Sequence, residues 1–130
     1  MLLDTTILID FLRNKKNAVS FFEKNKNKLL FTTEINIFEL VTGVYADGKS
    51  VDVHLQKIFL LAENLAILHL NRNGTLKAGQ IAGTLISKGE RIEDIDCLTA
   101  GIAISNGVST IVTENKKHYE KIPGIKVITY

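Results

Sequence analysis

Three carboxylates and one amide are the residues whose types and spacing could do chemistry in this 130-residue chain: Asp4, Glu39, Asp96 and Asn115. Asp4 closes a short apolar run, Leu2-Leu3. Asp96 falls in the first turn of a helix whose body, Cys97 to Ile104, is almost wholly small or apolar. Glu39 shares a helical sector with Gly43 and Ala46, while Phe38, Leu40, Val41, Val44 and Tyr45 fall on other sides. Small neighbours leave space over its carboxylate. Singly, each acid has a plainer role, Asp4 and Asp96 at helix N-termini and Glu39 on a solvated surface. Gathered in one cleft they repel, and a cation between them relieves that cost. Hard oxygen ligands suit Mg2+ or Mn2+, with water completing the shell. An ion so held activates water and clamps a phosphate, which is phosphodiester hydrolysis chemistry. Asn115 both donates and accepts, so it could orient a water or a phosphate; Glu114 beside it could add a carboxylate. The plainer role for this segment is a cap on a helix from Lys116 to Tyr119.

Positioning these residues requires strands that end where the acids begin. Short apolar runs read as strands at 2–3, 29–31, 66–70, 110–112 and 126–129. Helix-period segments lie between them, at 7–12, 18–25, 34–46, about 50–63, 73–88 and 94–106. Thr33 is the expected N-cap of the third helix, Ser50 of the fourth and Asp94 of the sixth. Strands separated by one or two helices pair in parallel through right-handed crossovers. The expected fold is a three-layer α/β/α sandwich on a parallel four- or five-stranded sheet, one domain over 1–130. In such sheets, sites form beyond the carboxyl ends of the strands, where Asp4 stands. Ala78-Gly79 and Ala82-Gly83 repeat small residues four apart, as close packing requires, either within the chain or against a second subunit.

Net charge is +2, too small to imply a partner by itself. The distribution is more telling: six basic residues (Arg13, Lys15, Lys16, Lys24, Lys26, Lys28) face one acid, Glu23. Lys116, Lys117, Lys121 and Lys126 form a second basic group. Such groups can hold phosphates or simply form solvated faces. One cysteine, Cys97, allows no internal disulfide and fits a reducing compartment. No targeting signal or membrane-length apolar run is visible, so a soluble, cytoplasmic protein is expected.

Four segments resemble the PIN-domain ribonucleases, and among them the VapC-type toxins of toxin–antitoxin pairs. They are Leu2-Leu3-Asp4-Thr5-Thr6-Ile7-Leu8-Ile9-Asp10, Phe38-Glu39-Leu40-Val41-Thr42-Gly43, Asp96-Cys97-Leu98-Thr99-Ala100-Gly101-Ile102-Ala103 and Val112-Thr113-Glu114-Asn115. No segment is specific alone; the four in order span essentially the whole chain. The resemblance implies an acidic core of Asp4, Glu39 and Asp96, with Asp4 and Asp96 nearest a Mg2+ or Mn2+ ion and Glu39 orienting or deprotonating water. It also implies an endoribonuclease acting on RNA, inhibited by a partner antitoxin and often a homodimer; an antitoxin could inhibit by placing a basic side chain among the carboxylates. The chain departs from the family pattern at Thr6, where Asn or Ser is usual, which changes the hydrogen bonding beside Asp4. A second departure is Asn115, which fills a position where the family often has an acid. Asp10 and Asp94 are expected to be structural.

Other readings compete. Gly43-Val44-Tyr45-Ala46-Asp47-Gly48-Lys49-Ser50 matches the phosphate-binding pattern G-x-x-x-x-G-K-[ST]. Bulky Val44 and Tyr45, and the charge of Asp47 beside an anion, weigh against it. A PIN-like domain that binds RNA or a partner without cutting is a further alternative. The three histidines, His54, His69 and His118, are scattered and form no zinc pattern.

Overall fold

Successive side chains of a strand point to opposite faces of a sheet, and the first two apolar residues use that alternation to found two cores. Leu2 packs with Ile81, Leu85, Ala100, Ala103, Ile111 and Tyr119 on one face. Leu3 packs with Ile7, Leu8, Leu40, Ile58, Leu61 and Val112 on the other. Ile111 and Val112 repeat the division one strand away. Leu2 and Leu3 are both fully buried, each contributing about 2 kcal/mol from apolar burial.

The computed structural model describes residues 1–130. Five strands, β1 (Leu2–Leu3), β2 (Phe31–Thr33), β3 (Ala66–Leu68), β4 (Thr110–Val112) and β5 (Lys126–Ile128), form one parallel sheet in the order β3-β2-β1-β4-β5. Helices α1 (Thr5–Leu12), α2 (Lys16–Asn25), α3 (Glu34–Asp47) and α4 (Val51–Ala62) precede β3, and α1 to α4 supply the core around Leu3. Helices α5 (Arg72–Ser87), α6 (Asp94–Ser105) and the short α7 (Lys116–Tyr119) supply the core around Leu2. The result is the expected three-layer α/β/α sandwich, with all five strands.

Several local expectations change. The second strand lies two residues later than its apolar run, because Leu29 is exposed and Thr32 and Thr33 are buried instead. The third ends at Leu68, leaving His69 and Leu70 outside it. The phosphate-loop reading fails: α3 runs unbroken through Gly43 to Asp47, so no strand precedes a loop there. Gly48 instead ends α3 in the left-handed conformation (φ 69°), a position that favours glycine. Ser50 does not cap α4; it is itself left-handed and its side chain makes no cap bond. Asp94 is the first residue of α6 rather than its cap, and it pairs with Arg91.

The small-residue repeat resolves into two halves. Ala78 packs inside the chain against Gly101 of α6, where an added Cβ would stand 2.6 Å from the Ala78 nitrogen. A Cβ added at Gly79 or Gly83 would meet nothing within 4 Å.

Candidate active site

The order β3-β2-β1-β4-β5 sends the chain from β1 to one side and later back to the other, so the switch of direction falls between β1 and β4. Asp4 follows β1 there, and its backbone N–H extends the ladder to Val112 O at 3.0 Å. Asp4 occupies the N-cap position of α1, yet its side chain makes no cap bond. The carboxylate turns instead into a buried polar centre.

Four donors meet it. Asn36 Nδ2 (3.3 Å) and the Tyr119 hydroxyl (3.1 Å) donate to Oδ1. Thr113 Oγ1 (2.6 Å) and Thr6 Oγ1 (3.3 Å) donate to Oδ2. The Thr6 departure thus keeps a hydroxyl beside Asp4, and its oxygen also accepts the Glu114 backbone N–H. Glu114 itself is exposed, and its side chain makes no hydrogen bond into the centre.

Asn36 is positioned by helix capping. Thr33 caps α3: its hydroxyl accepts the Asn36 N–H, while the Asn36 amide oxygen accepts the Thr33 N–H. With its oxygen so occupied, the amide nitrogen is aimed at Asp4 and, at 3.0 Å, at Thr5 Oγ1. Thr5 then donates to Glu39 Oε2. Glu39 therefore joins Asp4 through Thr5 and Asn36, and is half-buried rather than solvated.

Asp96, in the first turn of α6, is buried. His118 Nδ1 lies 2.5 Å from its Oδ2. Asn115 Nδ2 is 3.3 Å from the same oxygen and 2.8 Å from that nitrogen. Asn115 stands at the N-cap position of α7, but its side chain serves Asp96 and not the helix.

The electrostatics carry the mark of crowded charge. Burial raises the Asp96 carboxyl above the ordinary range; the His118 hydrogen bond lowers it and the Asp4 charge raises it again. Burial likewise raises Glu39, Thr5 lowers it, and the charges of Asp4, Asp96 and Glu93 raise it. The Tyr119 hydroxyl is pushed well above its usual value by burial and by the Asp4 and Asp96 charges, with its hydrogen bond to Asp4 adding to the effect. As the side chains stand, no three His, Cys, Asp or Glu residues form a group that could hold one metal ion. The donor set suits a hard ion that binds through one or two carboxylates and keeps its waters, and mutual repulsion of Asp4 and Asp96 favours a cation there.

Asp4, Asp96 and Asn115 are thus drawn into one centre, and Glu39 is linked to it through Thr5. Residue spacing did not reveal Thr5, Asn36, Thr113, His118 or Tyr119. Asn36 had a signal, since it stands three residues after a capping threonine. Thr113 directly follows an apolar strand. Nothing local marks Tyr119.

A parallel α/β/α sheet with buried carboxylates at its switch point defines an acid-centred α/β domain. The chain belongs to the PIN-domain family, whose profile matches residues 1–124. It is 28% identical over 127 residues to the tRNA(fMet)-specific endonuclease VapC of Salmonella typhimurium, covering 97% of this chain and 94% of that protein. Among solved structures it is similar to DNA-bound VapBC from Salmonella typhimurium (TM-score 0.87, 27% identity, 98% of this chain and 96% of that one). VapBC2 from Rickettsia felis, bound to a promoter DNA fragment, shares the fold at TM-score 0.88 with 24% identity, over 99% of this chain and 97% of that one.

Proposed function

We propose that this chain is a divalent-metal-dependent endoribonuclease, the toxin of a toxin–antitoxin pair, and that Asp4, Glu39, Asp96 and Asn115 carry its chemistry. The observation that supports this most is the meeting of Asp4, Asp96 and Asn115 at the switch point of a PIN-domain sheet. The names of the Salmonella relatives, an endonuclease and a VapBC complex, point the same way.

In this reading Asp4 and Asp96 hold Mg2+ or Mn2+, with water filling the remaining positions. The ion supplies charge neutralisation at the phosphate and a more acidic water. Glu39, already biased by burial toward taking up a proton, orients or deprotonates the attacking water. Asn115 fixes the Asp96 carboxylate and offers its amide to the phosphate. Arg13 and Lys16 are exposed and free to meet the RNA backbone, whereas Lys15 is engaged by Asp10 at 2.8 Å and Lys116 by Glu120 at 3.2 Å. Lys117, Lys121 and Lys126 are exposed candidates at the other end of the chain.

The proposal extends to partners. A cavity of about 330 Å³ opens beside Glu39, floored by Ile9, Leu12, Leu40 and Ile58, and offers an antitoxin segment a seat from which a basic side chain reaches the carboxylates. Phe38 and Tyr45, 60% and 63% exposed and seven residues apart on α3, give a second copy an apolar face for a homodimer. No helix is long and apolar enough to cross a membrane; the RNA substrate puts the proposed site of action in the cytoplasm.

The test is RNA cleavage with Mg2+ or Mn2+ by wild type, Asp4→Asn, Asp96→Asn and Glu39→Gln. Loss of cleavage in each variant and on chelation is expected. Undiminished cleavage by Asp4→Asn, or without metal, refutes the assignment. A domain that binds RNA without cutting is the second reading; RNA binding by wild type with no cleavage in either metal would select it. A neighbouring reading frame for a small DNA-binding protein would support the toxin assignment. An inhibited complex whose partner leaves the acidic pocket empty would count against the basic-side-chain mode of inhibition. Sedimentation as a monomer would remove the homodimer.

A further inference from the structure

An ionised carboxylate offers about four lone-pair positions, and all those of Asp4 are taken: Asn36 and Tyr119 donate to Oδ1, Thr113 and Thr6 to Oδ2. A cation that binds Asp4 must displace one of them. The four are not equally free to leave. Asn36 is held by the α3 capping box and serves Thr5 with the same nitrogen. Thr113 makes the shortest bond, 2.6 Å, and its oxygen also accepts the Asn115 backbone N–H at 2.8 Å. Thr6 lies on Oδ2, tied to the Glu114 N–H and in contact with Thr113. The Tyr119 hydroxyl differs. Its ring is fully buried among Leu2, Ile111 and Ile122, so the side chain is fixed, but its O–H bond can rotate. Its one side-chain hydrogen bond runs to Asp4, and unlike the oxygens of Thr6 and Thr113 its oxygen accepts no backbone N–H.

We infer that Tyr119 is a positioning residue for the metal centre: its hydroxyl proton occupies Asp4 Oδ1 when no ion is present and competes with a divalent cation for that oxygen. The inference rests on the proposal that Asp4 and Asp96 bind a divalent ion. It deepens that proposal by assigning the residue that sets how tightly the ion is held. The hydroxyl is uncharged, so it satisfies Asp4 Oδ1 without neutralising the carboxylate, and a cation outcompetes it.

Removing the hydroxyl should therefore tighten metal binding, the reverse of what loss of a ligand or of a merely structural bond would do. Calorimetric titration with Mn2+ of wild type and Tyr119→Phe reads this directly. Tyr119→Phe should bind Mn2+ roughly tenfold more tightly, the scale set by one lost hydrogen bond to a charged group. In chelator it should melt below wild type, and saturating Mn2+ should narrow that gap. A folded Tyr119→Phe with unchanged or weaker Mn2+ affinity overturns the inference. Should that variant not fold, the wild type carries the test through tyrosines labelled at the ring carbon bearing the hydroxyl. On Mg2+ addition the Tyr119 resonance should move while that of exposed Tyr45 stays, and a Tyr119 resonance unmoved at saturation overturns the inference. Failure of the underlying proposal looks different: wild type itself then binds neither ion, and the role of Tyr119 falls with it.

Discussion

Thr113 Oγ1 donates to Asp4 Oδ2 at 2.6 Å, joining residues 109 positions apart in sequence. The two residues follow β1 and β4, which pair with Leu3 opposite Val112. One hydroxyl thus ties the central acid to the neighbouring strand end and, by accepting the Asn115 N–H, shapes the turn that carries the amide of the site.

Thr113→Val removes both bonds while keeping the shape of a fully buried side chain. The Asp4 carboxylate loses its closest donor, and the Asn115 N–H is left without its acceptor. A destabilisation of about 2 kcal/mol is expected, read by denaturant unfolding. Thr113→Ser keeps the hydroxyl and should recover most of it. Equal losses in the two variants would mean that the methyl packing, not the hydroxyl, matters.

Asn36→Ala should be felt at two carboxylates at once. The substitution deletes one half of the capping box, a loss of about 1 kcal/mol, together with the donors to Asp4 and Thr5. Thr5 is then free to turn away from Glu39. RNA cleavage should fall well beyond what the lost stability explains at temperatures where the variant is fully folded. Wild-type cleavage by folded Asn36→Ala would separate the capping network from the site.

The raised carboxyls of Glu39 and Asp96 predict a slope of stability with pH. Between the ordinary carboxylate pKa and the raised folded value, the native state holds more protons than the unfolded chain, so stability falls as pH rises through that window. Above it the cost of the buried charges is fully present. Asp10 acts in the opposite sense: bonds to Lys15 and Tyr130 hold its carboxyl low, and the stability it adds is lost as pH falls through its folded pKa. Unfolding in chelator from about pH 4 to pH 7 should show Asp96→Asn gaining on wild type as pH rises. Parallel profiles would contradict the assigned shift.

Gly101→Ala should be the most damaging single methyl in the chain. The added carbon would lie 2.7 Å from Gly74 O and 2.6 Å from Ala78 N, both backbone atoms of α5. Forcing α5 from α6 costs about 1–3 kcal/mol and strains the helix that bears Asp96. Gly79→Ala, in open space on the exposed face of α5, should instead stabilise by up to about 1 kcal/mol through helix propensity. Thermal melts of the two variants should move in opposite directions.

Local pattern sufficed for much of this protein. Leu2-Leu3 ending at Asp4 defined a strand and an acid at its carboxyl end, because strand alternation and charge are properties of neighbouring residues. Thr33 was legible as a cap, and the small, apolar body after Asp96 as a buried helix, for the same reason. Ser50 and Asp94 had the chemistry of caps but not the backbone geometry, which distant packing sets.

The partners of each carboxylate were decided only by the tertiary structure. Whether Asp4 caps α1 or turns inward depends on Asn36, Thr113 and Tyr119, up to 115 positions away. Glu39 reaches the centre through Thr5 from the other end of a 34-residue separation. The sequence by itself determined that this chain has an acid at the end of its first strand, parallel crossovers and a set of candidate carboxylates. The crossing of the chain between β1 and β4 decided which donors surround Asp4, since a hydrogen bond forms by proximity in space and no local periodicity encodes it.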